Sequence, residues 1–117
     1  KMTFNQWVRV IFISSSGARN GDLGTGAYSS SKTGLIGLSK VISKEYGKYN
    51  ITSNIIELGA FDTGMYKKLN QKIINKIIKK IPADKLGQKE DIVNTIKFII
   101  NTSFINGSVV KIDGGAD

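Results

Sequence analysis

Residues 7–14, WVRVIFIS, form an apolar run rich in β-branched side chains that barely alternates. A strand with one wet face alternates apolar and polar residues; a near-continuous apolar run suits a strand covered on both faces, as in a parallel sheet. Parallel neighbours need a crossover, usually a helix. The chain supplies one: after the loop SSSGARNGDLGTG at 14–26, apolar residues recur at helical spacing from Ala27, with Leu35, Leu38, Ile42 and Tyr46 as the stripe and Gly47 as the stop. Thr25 is placed to cap its start.

The pattern then repeats. ITSNIIEL, residues 51–58, reads as a second strand, and GAFDTG as a turn. Residues 66–81 read as an amphipathic helix, with Leu69, Ile73, Ile74, Ile77, Ile78 and Ile81 on one side and Lys68, Lys72, Lys76, Lys79 and Lys80 largely on the other. Pro82 ends it. Residues 88–101 form a further helix, with Ile92, Val93, Ile96, Ile99 and Ile100 as its stripe and Glu90 and Asp91 favourably in its first turn. GSVVKIDGG, 107–115, is a last strand and turn. Strand, helix, strand, helix, helix, strand predicts an α/β fold: three strands of a parallel sheet covered by helices, with one edge unfinished.

Composition narrows the chemistry. The 117 residues suit one small domain, and 40% hydrophobic content with a single proline describes a folded chain. With no cysteine and no histidine, disulfides, a zinc site and a Ser-His-Asp triad are excluded, and no metal is expected. Acid–base work must fall to Tyr, Lys, Asp or Glu. The apolar runs are too short for a membrane span, and the first residues lack a cleavage signal, so a cytoplasmic protein with no membrane partner is expected. The net charge of +8 favours anionic partners, although the Lys, Ile and Asn content also matches an AT-rich genome.

Two features invite a site. The glycine-rich stretch after the first strand, with Gly17, Gly21 and Gly24, has the wrong spacing for G-x-G-x-x-G and no helix directly after it, so it is a poor phosphate cradle. The second is AYSSSK, 27–32. On a helix, Tyr28 and Lys32 stand one above the other. Ser15 closes the first strand thirteen residues before Tyr28, and the loop between can fold back. A carbonyl oxygen held there would receive a hydrogen bond from Ser15 and a proton from Tyr28, while a nicotinamide delivers hydride. Free tyrosine has a pKa of about 10, and moving it by about three units costs roughly 4 kcal/mol. One positive charge about 4 Å away, at an effective dielectric near 20, supplies about that much. Taken alone, the pair could equally be a solvated helix face, and Ser15 a turn residue.

The combination of Ser15 with Tyr28-x-x-x-Lys32 resembles the short-chain dehydrogenase/reductases, a family with an extended Rossmann-like fold. KTGLIGLSKVISKEYGKYNITSNII resembles the family's helix and next strand, LGAFDTGM its Pro-Gly-x-x-x-Thr-x-Met segment, and GQKEDIV with FINGSVVKIDGG its closing helix and strand. The resemblance runs through nearly the whole chain. It implies that residues 1–117 are the C-terminal, catalytic and substrate half of a Rossmann-like doubly wound parallel sheet, with the N-terminal dinucleotide-binding half absent. It implies Ser15, Tyr28 and Lys32 as catalytic residues, and Tyr28, Lys32, Gly59, Ala60 and Thr63 around a nicotinamide cofactor, NADP(H) in preference to NAD(H). Thr63 could instead cap a helix. Asn54 matches a family asparagine and reads as structural. Leu58 departs from the family's proline and removes a φ restraint.

Within the family the segments are most similar to 3-oxoacyl-[acyl-carrier-protein] reductases. That implies a small-molecule or carrier-protein-bound substrate, fatty acid biosynthesis, and a homo-oligomer, dimer or tetramer. The lysine-rich helix corresponds to the family's substrate flap, and could be either a solvated face or a docking face for an acidic carrier. Alternatives are a dehydrogenase of a sugar, sterol or small alcohol, or a non-catalytic basic binding module. Aromatic-glycine RNA motifs are absent, so no nucleic acid partner is expected. The first strand should find a neighbour only in residues 51–58, and the 28–46 helix should expose apolar surface. The 117 residues alone should associate or belong to a longer chain, and be inactive.

Overall fold

The computed structural model describes residues 6–15, 26–64 and 68–116, with the side chains at 27–29, 31 and 32 outside the description. The elements run β1 (Val8–Ser15), α1 (Gly26–Tyr46), β2 (Ile51–Leu58), α2 (Gln71–Lys79), α3 (Lys89–Asn101) and β3 (Val109–Ile112), with one 3-10 turn at Gly47–Tyr49. The strands form one parallel sheet in the order β1-β2-β3. β2 is therefore central. All of its residues but Leu58 are buried, the polar Thr52, Ser53, Asn54 and Glu57 among them. Among the described residues β1 pairs with β2 alone, the edge expected from the sequence. No described helix is long and apolar enough to cross a membrane.

α1 runs to Tyr46, and the chain leaves the following 3-10 turn through Asn50, left-handed at φ 61°. Asparagine tolerates this conformation better than most residues. The expected stripe on α1 is only partly right. Leu35 and Ile42 are half-buried, but Leu38 is 48% exposed and Tyr46 41%. The sheet-facing stripe is instead Leu35, Ile36, Ser39, Ile42 and Ser43. Its buried centre is Ser39, whose Oγ lies 2.8 Å from Ser53 Oγ on β2. A small hydroxyl pair lets the helix sit close to the strand. Hydrophobicity alone rotates the face away from these serines. The outward apolar residues, Leu38 and Val41, bear out the expected exposed surface.

Two asparagines fasten the segment before β3 to β2. Asn54 is fully buried; its Nδ2 donates to the Ile105 carbonyl at 3.1 Å, and its Oδ1 accepts from the Ser108 N–H at 3.0 Å. Asn106 Oδ1 accepts from the Ser53 N–H at 2.9 Å, while its Nδ2 donates to the Ser43 carbonyl on α1 at 3.3 Å. Between them Gly107, at φ 73°, donates its N–H to the Ser53 carbonyl at 2.8 Å. A Cβ there would lie 2.8 Å from Ser43 Oγ, so only glycine fits.

Of the remaining elements, α2 is shorter than expected. α2 begins at Gln71, not 66, because Asn70 takes the cap: its Oδ1 accepts from the Ile73 N–H at 3.0 Å. None of the residues of α2 is buried, and its anchor is Ile81, just past its end. α3 matches the expected range; Asp91 Oδ2 accepts from the Gln88 N–H at 2.9 Å, and Ile99 is fully buried, while Val93 faces solvent. Within 107–115, read as a strand and turn, β3 covers Val109–Ile112 and the turn follows; Gly107, Gly114 and Gly115 all take positive φ, which a strand cannot hold.

Candidate functional site

Register brings the ends of the strands onto one line. Ser15 pairs with Leu58 and Leu58 with Ile112, so Ser15, Gly59 and Asp113 stand at the carboxyl edge of the sheet. In open parallel sheets this edge is where ligands bind. β1 ends there and β2 begins at the opposite edge, so α1 must start beside the carboxyl ends and run back antiparallel to the strands. Tyr28 and Lys32 fall in the first two turns of α1, with a helical backbone throughout. The condition on which their spacing depends is met: four residues advance about 6 Å along the axis and return to the same face. Their side chains, like the glycine-rich residues 17–24, Thr25 and Met65, lie outside the described residues.

The turn after β2 is built from backbone contacts. Gly59 donates its N–H to the Ile112 carbonyl at 3.1 Å, and a Cβ on it would lie 2.7 Å from Asp113 Cβ. Gly87 donates to the Ala60 carbonyl at 2.9 Å and its carbonyl accepts from the Asp62 N–H at 2.8 Å. A Cβ on Gly87 would enter the Phe61 ring, 2.5 Å from its edge. These bonds hold the turn that a proline at position 58 would otherwise restrain. Thr63 is half-buried and its N–H donates to the Phe61 carbonyl at 2.8 Å. The cap of α2 is Asn70, seven residues later, so Thr63 does not serve there. Gly59→Ala should overpack this junction and destabilise the protein by about 1–3 kcal/mol, read by urea unfolding. A wild-type midpoint would show that the contact with Asp113 yields freely.

Sequence reasoning missed two features. One is a cavity of about 520 Å³ beside the turn, walled by Ala60, Phe61, Leu86, Gly87, Thr95 and Asp113, among others. It arises where three distant segments meet; the only sequence sign is glycine at 59, 87 and 114. The other is Glu57, a carboxylate only 1% exposed in the central strand. Among the described residues no group of three or more His, Cys, Asp or Glu is placed to hold a metal.

Residues 1–117 match the family model described as "Enoyl-(Acyl carrier protein) reductase". A 3-oxoacyl-[acyl-carrier-protein] reductase of Chlamydia trachomatis is 39% identical over 108 residues, 91% of this chain and 44% of that protein. One from Rickettsia felis is 37% identical over 117 residues, 98% of this chain and 48% of the relative. Carbonyl reductase family member 4 of Xenopus laevis is 34% identical over 106 residues, 91% of this chain and 44% of the relative. The chain thus spans less than half the length of these curated relatives. With its parallel α/β sheet, its Ser15/Tyr28/Lys32 spacing and a family match along its entire length, the chain belongs to the short-chain dehydrogenase/reductase family.

Proposed function

We propose that these residues are the substrate half of an NAD(P)(H)-dependent oxidoreductase that reduces a 3-oxoacyl carbonyl, with the dinucleotide-binding half supplied by further chain. The observation that carries this is the common edge: Ser15, the start of α1 and the Gly59 turn all lie at the carboxyl ends of the parallel strands. The edge supports a nicotinamide there because ligands of open parallel sheets bind outside the carboxyl ends of the strands. Gly59, Ala60 and Thr63 would line its ring, and Lys32 and Tyr28 would reach its ribose. NADP(H) is the proposed form, following the similarity to 3-oxoacyl reductases. When bound, the cofactor supplies hydride to the carbonyl carbon. Tyr28 gives its phenolic proton to the carbonyl oxygen, and takes it back in the reverse direction. Lys32 lowers the pKa of Tyr28 by its charge. Ser15 donates a hydrogen bond that fixes the carbonyl.

The acyl carrier is the proposed vehicle of the substrate. Residues 63–83 carry six lysines and no acidic residue, and Lys72, Lys76 and Lys79 on α2 are exposed. A face of this sign suits an acidic carrier. In the complete enzyme, Lys72→Glu with Lys76→Glu should raise KM for carrier-bound substrate roughly tenfold, the size of a few lost charge contacts. KM for a small thioester should change little. Equal effects on both substrates would return these lysines to the role of a solvated face and favour a small-molecule carbonyl as substrate. The outward Leu38 and Val41 on α1 support self-association as a dimer or tetramer.

A further inference from the structure

Glu57 is a charged residue at the most enclosed position of the fold, the central strand, and nothing in the chemistry above uses it. Its place relative to α1 follows from one contact and two periodicities. Ser53 Oγ meets Ser39 Oγ at 2.8 Å, so the face of β2 that carries Ser53 is the face α1 covers. Glu57 is four residues further along that strand, hence on the same face and about 13 Å nearer the carboxyl edge. Lys32 is seven residues before Ser39 on α1. Seven residues are close to two turns, so Lys32 shares the helix face of Ser39 and lies about 10 Å nearer the same edge. The backbone positions of Glu57 and Lys32 therefore stand at nearly one height along the sheet. Tyr28 follows one turn further on. The groups in register beside Glu57 are Ser14 on β1, which is buried, and Lys111 on β3, which is exposed.

Resting on the Tyr28/Lys32 reading of the site, we propose that Glu57 is a positioning residue: a buried countercharge that holds Lys32 and moderates its pull on Tyr28. A positive charge alone favours the ionised phenol; a carboxylate behind it favours the protonated phenol. Glu57 thus keeps a proton on Tyr28 that Lys32 by itself would tend to remove, and fixes where the ammonium group sits. The relevant charge separations are on the order of 10 Å, which at an effective dielectric near 20 corresponds to about one pH unit.

The test is the pH profile of oxidation by the complete enzyme, with a 3-hydroxyacyl thioester and NADP+, where Tyr28 acts as base. The rate rises with pH as the phenol ionises. Glu57→Gln should move this inflection about one unit to lower pH. It should also raise KM for NADP+ several-fold. Glu57→Asp should restore the wild-type profile, and Glu57→Ala should repeat the shift. A structural role would lower the melting temperature and leave the inflection in place. An unmoved inflection in a folded Glu57→Gln or Glu57→Ala variant overturns the proposal. So does a shift of similar size to higher pH from Lys111→Met, which would assign the carboxylate to its neighbour on β3. If neither neutral variant folds, Glu57 is structural and the proposal fails. Tyr28→Phe separates the two levels: retained turnover sinks the tyrosine reading itself, whereas lost turnover with an unmoved Glu57→Gln profile sinks this inference alone.

Discussion

Replacing Tyr28 by phenylalanine in the complete enzyme should lower turnover by about two to four orders of magnitude, the range that a positioned proton donor contributes. Stability should change little, because the substitution removes one hydroxyl and keeps the ring and nearly all of the volume. The two readouts belong together: kcat for reduction of a 3-oxoacyl thioester, and the midpoint of thermal unfolding. Loss of turnover with an unchanged melting temperature assigns the proton to Tyr28. Near-normal turnover would remove the tyrosine from the chemistry and leave only positioning and hydride delivery to account for the rate. Binding of substrate should be nearly unaffected, so the loss should appear in kcat and kcat/KM alike, as for an interaction made chiefly in the transition state.

Asn54→Leu should act on the opposite quantity. It should destabilise the protein by about 4 kcal/mol, since the Ile105 carbonyl and the Ser108 N–H lose their partners and each orphaned buried group costs about 1–3 kcal/mol. Leucine keeps the branching and heavy-atom count of asparagine, so no cavity is left and the lost hydrogen bonds are the main cost. Denaturant unfolding of the complete protein measures it. A loss below about 1 kcal/mol would mean that water or a backbone shift satisfies both groups. Both amide ends bind backbone, so the expected structural role of Asn54 is the observed one. Any catalytic effect of the substitution should follow from the start of β3 coming loose.

What could be read from the sequence follows how local each determinant is. The β2 boundaries, 51–58, match residue for residue, because β-branched composition and the flanking Asn50 and Gly59 act within the strand itself. The helical backbone that Tyr28-x-x-x-Lys32 requires was equally legible, from a period of three and four. The face of α1 was not, since Ser39 counts as polar until Ser53, fourteen residues away, supplies its partner. The late start of α2 turned on Asn70, a cap hidden inside an otherwise helical pattern. Glu57 escaped notice for the strongest reason: sequence assigns a glutamate to solvent by default, and only the sheet order puts that position in the middle.

The looseness of α2 has an evolutionary meaning. The junctions at Gly59, Gly87 and Gly107 admit no side chain, so those positions are nearly frozen by geometry alone. α2 is the reverse: a helix capped by its own Asn70, with no buried residue, attached to the core through Ile81 beyond its end. Substitutions along it cost the scaffold little. A lineage can therefore rewrite the charge and shape of this helix, and on the carrier-docking proposal its choice of substrate, while the sheet is inherited untouched. Divergence in a family built this way should accumulate fastest along this helix, and the same architecture offers engineers an interchangeable part.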